Sequence, residues 1–377
     1  MLMIGLLVSG SLGADDRFII EGTVKGQPVH FAVDTGAGVE FVVWQKTATR
    51  LGLKTSQSSV LAEPTAGQIA TAWTEPADLE VMGEARRESR FAVVDTPGVI
   101  RPDVDGLMGW PALQNRILVL AVADHLATLV ERVPVSAAQW RHVALSKECA
   151  ALILNAPTRP AGGVGRVLVD TGSGFGVMLA AERWLSWKAA HPFRASTMVA
   201  YYKPGAGLVV AEESWASELE VGGIVLHDVP VMEADATDRA AVGTDYTASL
   251  GLAALARLDL VLDGEAGVAY VHAASGSPPP YAHNRLGAVF VPRDEQSNDL
   301  VAAVAERSPA FEAGIRDGDV LQKIDGLDVT QFRTQPGILP LSRFWNQSPG
   351  TLLALELRRG GEIFHVKVGL RNLLGSG

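Results

Sequence analysis

The stretch Phe31-Ala-Val-Asp34-Thr35-Gly36-Ala37-Gly38 returns later in the chain as Val167-Leu-Val-Asp170-Thr171-Gly172-Ser173-Gly174, and how it is read decides the fold. In both copies an apolar run closing on Val gives way to an acid, a hydroxyl and a glycine, the composition of a strand that stops and turns sharply. One such triplet is ordinarily a turn and nothing more, because Asp and Gly close turns for conformational reasons. Two copies in matching contexts ask for a common explanation. They set two carboxylates at equivalent strand ends.

Working outward, the surroundings repeat as well as the motif. Asp170 lies 136 residues beyond Asp34, Leu219-Glu-Val221 lies 140 beyond Leu79-Glu-Val81, and Leu250-Gly251 lies 142 beyond Met108-Gly109. Offsets that drift so little describe two copies of one unit with small insertions. Within the first copy, short β-type runs at Phe18 to Val24, Val29 to Val33 and Glu40 to Trp44 are separated by turn residues, and a short helix is expected from Gln45 to Leu51. Residues 59–74, with Pro64 and Gly67 between strand-like flanks, suit a projecting hairpin. Asp78 to Val81 and Phe91 to Val94 read as a further strand pair. A second hairpin is expected over Thr197 to Glu213, with Tyr201, Tyr202, Pro204, Gly205 and Gly207 near its tip.

Composition bounds what the chain can do. With 377 residues, 47% hydrophobic and 20% charged, it can build two or three cores. Its net charge of -10 and lack of a basic cluster argue against nucleic acid or an anionic membrane as partner. No internal run reaches the 18 apolar residues of a membrane-spanning helix. Residues 1–14 are apolar and then small, like the core and cleavage region of a secretory signal whose basic start is missing. On that reading the protein is periplasmic or secreted; a disordered or strand-forming start, with a cytoplasmic protein, is the other reading. The single cysteine, Cys149, excludes an internal disulfide and is expected as a buried small hydrophobe. Trp184 and Trp187, three apart, are read as packing residues. Eight scattered histidines lack metal-site spacing, and no nucleophile elbow or phosphate loop is present, so neither metal nor cofactor is expected.

Residues 273–284 contain Pro278, Pro279 and Pro280 and read as a stiffened linker. The third unit, 285–377, has strand-like runs at Ala288 to Val291 and Leu300 to Val304. Paired strands are expected at Leu352 to Leu357 and Glu362 to Val368.

With the paired motif and matched order in hand, residues 15–140 and 141–272 resemble the two lobes of an aspartic protease. Each is similar to a retropepsin-type half-domain, duplicated so that the plan resembles pepsin. The third unit resembles a bacterial PDZ domain through its signature from Ser308 to Gly326. The fold so implied is mostly β: a bilobal acid-protease fold of two pseudo-symmetric β-barrel-like lobes, with a C-terminal PDZ domain. The resemblance makes Asp34 and Asp170 the catalytic pair, with Thr35, Gly36, Thr171, Gly172, Gly109 and Gly251 as active-site support and the two hairpins as flaps. In the PDZ-like unit Leu286, Gly287, Ala288, Val289 and Phe290 form the candidate carboxylate loop for an added peptide strand. The Ala37 and Ser173 difference suggests acids of unequal basicity.

Two carboxylates meeting across an approximate twofold axis cannot both ionise cheaply, so they share a proton and titrate together. The expected activity is peptide-bond hydrolysis by a monomer acting on protein or peptide substrates, with a peptide ligand of the PDZ unit as a further partner. The alternative is a peptide-binding scaffold that keeps the fold without cutting.

Overall fold

Strand formation follows the alternation of apolar and polar side chains. In Ala77–Val81 every second residue is buried and its neighbours are exposed, as a half-covered strand requires. The computed structural model describes residues 17–375 apart from 64–66, 96–102, 158–163, 204–206, 235–245 and 295. The signal-like segment 1–14 and the hairpin positions Pro64, Pro204 and Gly205 lie outside the described residues.

Among the described residues there are three sheets, of nine, twelve and six strands. At the centre of the first, Gln27–Asp34 runs parallel to Gly106–Gly109, with Asp34 opposite Gly109. Phe41–Trp44 flanks Gly106–Gly109 on its other side, antiparallel, and itself runs parallel to Ala92–Val94. The same pairings recur in the second sheet. Val164–Val169 runs parallel to Ala248–Leu250, which is antiparallel to Val177–Leu179, which is parallel to Ile224–Glu233. The repeat seen in the sequence is therefore a repeat of hydrogen-bonding partners.

The expected helix forms over Gln45–Arg50. The expected pairing of Asp78 to Val81 with Phe91 to Val94 does not. Ala77–Val81 pairs with Ile19–Val24 and with Glu84–Ser89, while Ala92–Val94 pairs with Phe41–Trp44 and Gly67–Thr74. The reason is the turn at Met82-Gly83, where both residues have positive φ, 55° and 74°. Such a turn matches the twist of a two-residue hairpin and folds the chain straight back into a charged edge strand. The same device closes Lys25-Gly26 and Gly222-Gly223.

One buried cluster runs from Phe18 to Val271, and its first part holds the tilted and stacked rings of Phe31, Phe41 and Phe91, 5.5–6.4 Å apart. Trp184 and Trp187 are buried in it and stack at 5.4 Å. Cys149 is half-buried rather than enclosed, at the margin of a small cluster with Ala151, Ile153, Leu168 and Tyr246. A separate core from Leu286 to Leu370 belongs to the third sheet, where Ala288–Pro292 pairs with Leu300–Val304 and Leu352–Arg359 with Glu362–Gly369. Sheet boundaries do not follow position 140: Ile117–Ala121 pairs with Leu258–Asp263, so residues on both sides of it share the twelve-stranded sheet.

Candidate active site

The two parallel central strands deliver the acids. Val33 N–H is held by Phe18 O at 2.8 Å and Val169 N–H by Leu152 O at 2.9 Å, so each strand is pinned one residue before its aspartate. The next residues lock the halves together. Thr35 Oγ1 donates to Val169 O at 2.7 Å and accepts the Thr171 N–H at 3.2 Å. Thr171 Oγ1 donates to Val33 O at 2.8 Å and accepts the Thr35 N–H at 3.1 Å. Both threonines are wholly buried, so these four bonds are made where an unmade one is costly.

This lock brings the carboxyls of Asp34 and Asp170 into hydrogen-bonding contact. Each glycine after the threonine lies against the acid of the other half. A Cβ on Gly36 would stand 2.8 Å from Asp170 Cγ, and one on Gly172 would stand 2.4 Å from Asp34 Cγ. Gly109 and Gly251 close in from behind, where a Cβ would meet Val39 O at 2.0 Å and Phe175 O at 2.4 Å. At these four positions glycine is a steric requirement of the acid pair and its loops.

The environments of the acids differ. Asp34 Oδ1 accepts N–H bonds from Gly36 at 3.0 Å and Ala37 at 3.1 Å. Asp170 Oδ1 accepts the Gly172 N–H at 2.9 Å; the Ser173 N–H reaches the Asp170 main-chain oxygen at 3.3 Å, and the Ala37 N–H likewise reaches Asp34 O at 3.1 Å besides its bond to Oδ1. Burial raises both carboxyls above the ordinary aspartate range. Arg17 offsets part of this at both acids, more prominently at Asp34, and the Asp34 charge adds to it at Asp170, which is held well above that range. Both carboxyls are thus raised as one pair that titrates together, Asp170 the further, while Asp34 accepts one more N–H bond. Arg17 has no motif that could reveal it in the sequence; only its nearness to the acids does.

Leu286 to Phe290 are not part of this cluster and belong to the C-terminal core, where Leu286, Ala288, Val289 and Phe290 are buried. Gly287 has φ +76°, and its missing Cβ makes way for Ser308. The N–H groups of Leu286 and Gly287 both donate to Asn284 Oδ1, at 2.9 and 3.2 Å. Of the two hairpins, Thr55–Glu63 pairs with Gly67–Thr74, and Ser196–Lys203 pairs with Gly207–Val221. Tyr201 on the second meets Phe175 edge-on at 5.2 Å. Among the described residues no group of three or more His, Cys, Asp and Glu could hold a metal, and no helix is long and apolar enough to cross a membrane.

Residues 20–112 match the aspartyl protease family model. The crystal structure of an aspartic proteinase from Irpex lacteus superposes with a TM-score of 0.40 at 10% identity, covering 69% of this chain and 94% of that one. No curated protein matches the chain.

Proposed function

We propose that the chain is an aspartic endopeptidase in which Asp34 and Asp170 activate water against a peptide carbonyl. The observation that carries the reading is the contact between two unequally supported carboxyls, one from each repeat, with Asp170 buried and Asp34 half-buried. The family match over residues 20–112, which includes Asp34 and Gly109, supports it. The ionised Asp34 takes a proton from water as it attacks the carbonyl carbon, and the protonated Asp170 gives its proton to the carbonyl oxygen. The resulting tetrahedral diol collapses as the C–N bond breaks, with a proton passing to the leaving amine. No covalent enzyme intermediate is formed. The acids play opposite roles at one pH because their environments push them apart.

In this reading residues 15–140 and 141–272 act as two retropepsin-like, pseudo-symmetric lobes of a monomer, the Pro-rich 273–284 links them to a PDZ-like unit at 285–377, and the substrate is protein or peptide. The secretory reading of residues 1–14 makes the working compartment periplasmic or extracellular. For the PDZ-like unit, the engagement of the Leu286 and Gly287 N–H groups by Asn284 favours packing on the lobes over capture of a peptide carboxylate, which would have to displace Oδ1.

Incubation with an unfolded protein from acidic to neutral pH, with and without a statine-type transition-state mimic, tests the reading. Cleavage that the mimic blocks is expected. No cleavage at any pH, with peptide binding intact, would instead establish the scaffold.

A further inference from the structure

The strand Ser196–Lys203 ends the second sheet, and what covers its hairpin is the C-terminal unit. Met198 and Val210 pack against the C-terminal core. Between them and that core sits Asn284, 4% exposed, with its amide engaged at both ends. Nδ2 donates to Met198 O at 2.9 Å and to Ala288 O at 2.8 Å, while Oδ1 accepts from Leu286 and Gly287. Thr197, also fully buried, donates from Oγ1 to Asn284 O at 2.8 Å. Two further contacts tie the same region down: Tyr281 donates to Glu213 Oε1 at 2.6 Å, and Arg307 donates to Pro192 O at 3.0 Å.

The other end of this chain of contacts is the acid pair. Tyr201, three residues beyond Met198, bears on Phe175. Phe175 belongs to the loop that begins at Asp170, and its carbonyl both accepts the Ala253 N–H at 3.0 Å and crowds Gly251. A hairpin with a free outer edge is weakly held by itself. Here a buried amide fixes it from outside.

We propose that Asn284 is a positioning residue for the acid pair: it clamps the hairpin Ser196–Val221 to the C-terminal unit so that Tyr201 holds the Asp170 loop in place. The inference rests on the protease reading above and adds that the C-terminal unit is part of the cleavage machinery.

The test uses the full chain with Asn284→Asp and, separately, Thr197→Val. The first keeps an acceptor for Leu286 and Gly287 but turns a carboxylate oxygen onto the Met198 and Ala288 carbonyls. The second removes one donor with little change of shape, and it carries the test if Asn284→Asp fails to fold. Hydrogen exchange of amides 196–203 and 27–34 is measured, together with kcat and KM on an unfolded protein substrate. We expect exchange in 196–203 to quicken by about tenfold or more with 27–34 unchanged, and kcat to fall by about tenfold with KM nearly constant. Unchanged exchange, or a loosened hairpin with unchanged kcat, overturns the proposal. If the unmodified protein cuts nothing, the protease reading fails and the positioning role falls with it, while unchanged exchange in an active enzyme overturns the clamp alone.

Discussion

A methyl group is the smallest addition that can be made at Gly172, and there is no room for it: its carbon would stand 2.4 Å from Asp34 Cγ. The Asp34 carboxyl must move, and a displacement approaching 1 Å costs about 10²-fold in rate. Gly172→Ala should therefore lower kcat/KM by about that factor, measured on an unfolded protein substrate, while the protein still folds. The acids make a second prediction. A carboxyl whose folded pKa is raised stabilises the fold fully below its unfolded value and loses that contribution as pH rises through the folded value. Asp170 is held well above the ordinary range, chiefly by burial and then by the Asp34 charge. Asp170→Asn should melt at a higher temperature than the unmodified protein at neutral pH, with the gap closing below the ordinary aspartate pKa. The acids and their glycines are legible in the sequence because a tight turn that carries a carboxyl permits few residue types. Arg17 and Asn284 are not, since a lone cation or amide acquires its role only from neighbours distant in the chain.

Between residues and molecule stand the elements, and the cross-half threonine lock is the most consequential of them. Removing the Thr171 hydroxyl leaves the Thr35 N–H and the Val33 carbonyl buried without a partner. At about 1–3 kcal/mol for each orphaned group, Thr171→Val should lose on the order of 3 kcal/mol in denaturant unfolding, and Thr171→Ser should recover most of it. The second hairpin carries its own pH dependence. Glu213, 1% exposed, is pushed up to about 8 by burial, with the Tyr281 hydroxyl its partner and Oε2 unpaired among the described residues. Arg257 acts on the Tyr281 side. Since the raised value lies above the ordinary one, stability should fall as pH rises from about 4.5 to about 8. Glu213→Gln should flatten that fall in a series of melts. The hairpins with apolar flanks can be read from sequence, but Glu84–Ser89 cannot. It is a charged edge strand with little burial, and only the positive-φ turn before it betrays its course.

At the scale of the whole molecule, one buried core among the described residues spans both repeats and another serves the C-terminal unit. The repeat spacing makes the two halves legible. It does not tell that Ile117–Ala121 pairs with Leu258–Asp263, because an apolar run reads alike whichever sheet receives it. That pairing and the threonine lock make the site a property of the closed pair of halves, and neither half alone carries both acids. The most direct measurement is therefore peptide cleavage from acidic to neutral pH by the full chain carrying Asp34→Asn or Asp170→Asn, each with its fold checked. Each substitution is expected to lower kcat by at least about 10²-fold at every pH, since in the proposed mechanism each removes one of two complementary proton-transfer groups. Cleavage that survives both single substitutions would contradict it.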